Sequence, residues 1–208
     1  MANISMQKKG AVKARAGRAG FTLIELLVSI MIFSISMGVV SQLFTYSLKS
    51  ERVLKAHAQL VNEMSYNMER ISRGLRMAQK SAGTASCLAA NENYAPTHVL
   101  GAAIHGIRFE NINSSGQIDC VEYYMGYPYV SGKAALMERR LSNGVLQFDI
   151  PLTSPDVELV NFNISGTGWS QDDQLQPRVT INMKTIGNES QSLNIQTTVS
   201  QRNLDVRY

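Results

Sequence analysis

Glu25 is the one ionisable side chain in an apolar run that begins at Phe21 and lasts until Lys49. A charge at the centre of a membrane-length helix costs about 2.5 to 3.5 kcal/mol on insertion scales, so a carboxylate near the start of one is kept for a reason, or else snorkels to the headgroups, since it lies only five residues into the run. Few other residues have such spacing. Cys87 and Cys120 are the two cysteines, and their separation of 33 residues excludes CxxC redox or metal chemistry. In an exported segment they are the candidate disulfide. His57 falls on a helical stripe and is expected in core or interface, whereas His98 and His105 have no companion carboxylate or nucleophile pattern. Gly166-Thr167-Gly168-Trp169 contains GxG with no helix after it, which describes a turn rather than a phosphate cradle. Asp172 and Asp173 are a weak calcium candidate without EF-hand spacing, and a solvated loop is the plainer reading. Tyr123, Tyr124, Tyr127 and Tyr129 cluster around Gly126 and Pro128, a surface contact for adhesion or DNA, or packing at a strand end. Packing is the simpler of the two. No catalytic group assembles from these residues, and neither an enzyme nor a cofactor is expected.

Charge narrows the class further. The chain carries +4 overall, yet Lys8, Lys9, Lys13, Arg15 and Arg18 all lie within residues 1–20, which contain no acid. Without them 15 basic residues face 16 acidic ones, a net of −1. The basicity is therefore a local topological signal and not a phosphate-binding surface, and no specific nucleic-acid partner is implied. An ordinary secretory signal places its apolar stretch before the cleavage site and loses it. Here the small-residue junction, Gly20-Phe21, precedes the apolar stretch, so processing there would retain it. The run Phe21 to Leu48 would extend about 42 Å as a helix, more than a bilayer core of about 30 Å. Positive charge on its amino side predicts a cytoplasmic amino terminus and an exported head.

These residues require particular elements to position them. From Phe21 to about Gln79 no proline occurs, and past Lys49 the pattern becomes amphipathic, with Val53, His57, Leu60, Met64, Met68, Ile71, Leu75 and Ala78 recurring every three or four residues. One continuous helix is expected, its first half in the membrane and its second half on a head. After residues 81–84 the period shortens to two. Strands are expected over 107–112, 118–125, 135–141, 145–150, 157–164, 178–186 and 192–200, with Asn143-Gly144 the strongest hairpin signal. One-sided burial in the last two fits an antiparallel sheet covered by the helix. The expected class is α+β, divided into a basic leader over 1–20, an apolar helix half over 21–48, an amphipathic half over 49–80 and a β-rich head over 81–208.

Gly20-Phe21-Thr22-Leu23-Ile24-Glu25-Leu26-Leu27, following a short basic leader, closely resembles the amino-terminal signature of type IV pilins and pseudopilins; the likeness covers Gly20 to about Tyr46. The resemblance implies cleavage between Gly20 and Phe21 by a membrane prepilin peptidase, and N-methylation of Phe21. It also implies pairing of Glu25 with the Phe21 amine of a neighbouring subunit, and assembly with other pilin or pseudopilin subunits on an inner-membrane platform. A helix apolar on every side, drawn out of lipid, can bury itself among copies without orphaning backbone groups. Two departures from the family pattern stand out: Ala19 rather than a basic residue precedes Gly20, which bears on the peptidase assignment, and the apolar segment has no proline, which is as compatible with a minor pilin or a secretion-type pseudopilin as with a bulk pilin. A different class stays open: a membrane-tethered module that binds a surface, DNA or a secreted substrate without polymerising.

Overall fold

A computed structural model of the chain describes residues 20–81, 83, 87–97, 106–171 and 173–202. The leader residues 1–19, His98, His105 and Asp172 lie outside the described residues. A single helix, α1, runs over Leu23–Arg76. Two compact units divide the chain at residues 49 and 50.

In the first unit α1 is uninterrupted through Gly38, around which no atom lies within the reach of an added Cβ. An isolated glycine costs about 1 kcal/mol relative to alanine in a helix interior, too little to break one of this length. Several polar side chains of the apolar run bond within the helix itself. Ser29, Ser34 and Ser36 hydroxyls donate to the carbonyls four residues back at 2.7–2.8 Å, and Thr45 to Gln42 O at 2.9 Å. Such hydroxyls need no partner from outside the helix, which is what a lipid setting demands.

The second unit is built on the last turns of α1. Leu60, Met64, Met68, Ile71, Leu75 and Ala78 are buried at spacings of three and four, so they share one helix face. The stripe takes effect only from Leu60: Val53 is half-buried and His57 exposed, so His57 does not enter the core. Eight strands follow: β1 (Ala95–Pro96), β2 (Gly106–Ile112), β3 (Ile118–Gly126), β4 (Ala135–Ser142), β5 (Val145–Pro151), β6 (Glu158–Thr167), β7 (Arg178–Ile186) and β8 (Ser192–Ser200). All pairings are antiparallel, but they form two sheets rather than one, β1-β2-β3-β4-β5 and β6-β7-β8. Both contribute to one core with the helix stripe, Ile107, Phe109, Val121 and Tyr123 from the first, Phe162, Ile181 and Met183 from the second. Each such side chain, fully buried, contributes roughly 1.5–3 kcal/mol.

The turns obey local chemistry. Asn143 and Gly144 both take positive φ, 50° and 77°, as the tight β4–β5 hairpin requires. At the β2–β3 turn Asn113 Oδ1 accepts the Ser115 and Gln117 N–H groups at 2.9 Å. Gly166 near the end of β6 lies under the Trp169 indole, where an added Cβ would meet Nε1 at 2.2 Å; Gly166 and Thr167 are still strand rather than the expected turn, the chain leaves β6 at Gly168 with φ 72°, and no helix follows among the described residues.

Cys87 and Cys120 are bridged, with Cα atoms 5.5 Å apart, tying the segment after α1 to β3. Thiol labelling of denatured, unreduced protein from the exported side is expected to find no reactive cysteine. Reduction should then lower unfolding stability by about 2 to 4 kcal/mol in denaturant melts. Two labelled thiols per chain would contradict the bridge in the cell.

Candidate functional site

The site begins where the apolar helix begins. Thr22 stands just before α1 and Glu25 is its third residue, a spacing that lets each side chain reach the other's backbone. Glu25 N–H donates to Thr22 Oγ1, and Thr22 N–H and hydroxyl both approach Glu25 Oε2, each at 3.3 Å. Leu26 N–H bonds Thr22 O at 3.2 Å and closes the first turn. Three of these contacts are long, as fits an exposed cap. The carboxylate also lies at the positive end of the helix dipole, where an anion is favoured. Oε1 accepts none of these bonds, so the cap occupies one oxygen and leaves the other available.

Thr22 is the residue that the cleavage-motif reading leaves out. Its signal is in the sequence as a Thr-x-x-Glu pattern heading an apolar run, the form of a capping box. Glu25 accordingly has a role within its own chain besides any between chains.

Around this cap the surface is apolar. Phe21 is 80% exposed, and Leu23, Met31, Phe33, Leu43 and Phe44 are each more than 60% exposed. An 18-residue window of α1 has mean hydropathy 2.3 with none of it buried, making the helix long and apolar enough to cross a membrane. Contiguous exposed apolar surface of this extent does not persist in water. Gly20 is exposed and an added Cβ there would touch nothing, so its size is not demanded by the packing of the chain.

The remaining candidates disperse. Asp173 Oδ1 caps the Leu175 N–H at 2.9 Å, an intraloop bond. Among the described residues no three His, Cys, Asp or Glu side chains are grouped to hold a metal. The tyrosine cluster is split by the pleat of β3: Tyr123 points into the core against Phe109, and Tyr124 to the opposite face, where its hydroxyl meets Asp149 Oδ1 at 2.7 Å. Burial, and then the bond to Asp149, push the Tyr124 phenol up to about 12. Tyr127 is exposed, and Tyr129 donates to Thr153 O. Sequence reasoning also missed a charged group on the helix side of β4. Glu138 is 1% exposed and held by Arg70 Nε at 2.7 Å and Arg140 Nη2 at 3.2 Å. Nothing in the local pattern of either segment announces that pairing across 68 residues.

Residues 15–41 match the prokaryotic N-terminal methylation motif. No curated protein and no solved structure matches the chain significantly. Motif and apolar helix together support a type IV pilin-like protein. Proteins carrying this pilin-type motif are structural and not enzymatic, and the motif points to assembly with other pilin subunits and to processing by a peptidase. The helix is consistent with an inner-membrane-anchored precursor.

Proposed function

We propose that this protein is a minor structural subunit of a type IV pilus or of a secretion pseudopilus. Prepilin peptidase removes residues 1–20 and methylates the Phe21 amine. The apolar half, residues 21–48, holds the precursor in the inner membrane and then packs among other subunits on the assembly platform. Residues 49–80 join it to an exported head formed by residues 81–208. Glu25 pairs with the methylated Phe21 amine of a neighbour and selects the register in which helices stack. The observation that carries this reading is the exposed apolar helix opening on a capped carboxylate beneath the methylation motif.

A buried ion pair adds little net stability, yet leaving one partner alone costs about 3 to 5 kcal/mol, so displaced neighbours are penalised. The available Oε1 of Glu25 is where the ammonium would bind.

Mass spectrometry of the mature amino terminus tests the reading. A chain starting at methylated Phe21 supports assembly, and an intact Met1 supports the tethered binding module instead. Gly20→Leu is expected to retain the leader and to strand the precursor in the membrane. Because a Cβ at Gly20 meets no atom of the described residues, that defect would report peptidase recognition and not misfolding. A Gly20→Leu chain that still lost 20 residues and entered filaments would refute the assignment.

A further inference from the structure

Among the described residues, the sheet β6-β7-β8 ends on a strand with nothing paired beyond it. β8, Ser192–Ser200, contains no charged residue and no proline, and pairs with β7 without a register break. Among the described residues its backbone makes no bond on the side away from β7. Exposed strand edges are ordinarily blunted by charge, proline, bulges or shortness, because a bare edge recruits another strand. The other edges among the described residues are blunted in those ways or partly covered: β6 begins at Glu158, has an irregularity between Leu159 and Asn161, and donates its Leu159 N–H to Ala134 O at 2.9 Å. β5 carries Asp149, Pro151 and an irregularity opposite it at Arg140/Leu141, and β1 has two residues, the second a proline.

The covering helix overhangs the bare edge. The turn before β8 lies by Leu60, since a Cβ on Gly187 would sit 3.5 Å from Leu60 Cδ2. Beyond its end, Gln201 Nε2 donates to Ala78 O at 2.8 Å and Arg202 N–H to Arg76 O at 2.9 Å. β8 therefore runs beside α1 in the same direction. Between them lies a cleft of about 580 Å³, lined by Met68, Ser72 and Arg76 of the helix and Ile195 and Thr197 of the strand. Arg73 is paired with Glu69, but Arg76 has no acidic partner among the described residues.

We propose that an extended strand of a different exported chain adds to β8 and fills this cleft. The strand is otherwise uncharged, aliphatic where it meets Met68 and Ile195, and acidic where it meets Arg76. A second copy of this chain does not fit. β8 itself contains no acid, so a second copy of it would bring none to Arg76; that the partner is an exported chain rests on the anchoring proposed above. Parallel pairing of the two free edges turns one sheet over and sets the apolar face of one beside the polar face of the other.

A photoreactive benzophenone amino acid at Asn194 of the full-length chain, irradiated in producing cells, tests this. Asn194 is exposed and is not among the residues that line the cleft. The expected result is an adduct with a different exported chain, mapped to an uncharged extended segment containing one acid. Arg76→Glu should lower its yield at least tenfold and Arg76→Lys should preserve it. The same probe at Gln147 on β5 should yield none. No adduct, an adduct with a second copy or with residues 203–208 of the same chain, attachment to a helix, or equal yield from Gln147 would each overturn the proposal. The same spectra read the amino terminus. Methylated Phe21 without the adduct removes only the strand addition, whereas an unprocessed leader removes the filament reading itself.

Discussion

Glu25→Ala is expected to leave membrane insertion unchanged or improved while lowering filament incorporation more than a hundredfold. Removing the carboxylate makes the helix more apolar, which favours insertion. In the proposed filament the methylated Phe21 amine of a neighbour would lose its partner in a low-dielectric core, at about 3 kcal/mol or more. At 1.4 kcal/mol per tenfold change that exceeds two orders of magnitude. The cap offers a competing explanation, because Ala also removes the bonds between Glu25 and Thr22. Glu25→Gln separates the two. An amide still completes a capping box but cannot neutralise an ammonium. Gln should therefore be nearly as harmful as Ala, whereas recovery with Gln would assign the effect to the cap. The measurements are membrane level and the fraction recovered in sheared or cross-linked filaments. Normal incorporation of both variants would reduce Glu25 to a capping residue, or place this subunit at a tip with no neighbour ahead.

Arg70→Met should destabilise the head by about 3 kcal/mol, the low end for breaking a buried ion pair. Glu138 is 1% exposed while Arg70 and Arg140 are each about a third exposed, so the two directions of truncation are unequal. Losing Arg70 leaves a buried carboxylate supported by Arg140 alone. Losing Glu138, as in Glu138→Leu, leaves Arg70 to solvent and Arg140 with Asp119 at 3.9 Å, and should cost less. The hydrogen bond from Arg70 to Glu138, more than any other interaction, holds that guanidinium above its ordinary range. The double variant Arg70→Met/Glu138→Leu should recover most of the loss, since an apolar pair of similar volume replaces a desolvated ionic one. Chemical denaturation of all four proteins gives the coupling directly. Additive losses would mean that the two residues act separately.

Much of this protein is determined by its sequence alone, for a local reason. The helix breaks no helical rule between Leu23 and Arg76, and strand periods of two lie between turn residues whose conformations depend on themselves, as at Asn143-Gly144 and Asn113. Seven of the expected strands therefore appear within a few residues of their expected bounds. The amino-terminal motif is legible for the same reason: leader charge, Gly20, Phe21 and Glu25 act through their order along the chain. What depends on partners distant in sequence was decided only by the tertiary structure. Alternation identifies which face of a strand is buried but not which strand lies beside it, so two sheets arose where one was expected. The apolar stripe on α1 starts in sequence at Val53 but is buried only from Leu60, where sheet residues meet it. The pleat sends Tyr123 and Tyr124 to opposite faces and dissolves an apparent aromatic cluster. Burial of Glu138 between two arginines, and the bare edge of β8 beneath an overhanging helix, exist only because folding brought together segments that carry no local sign of one another.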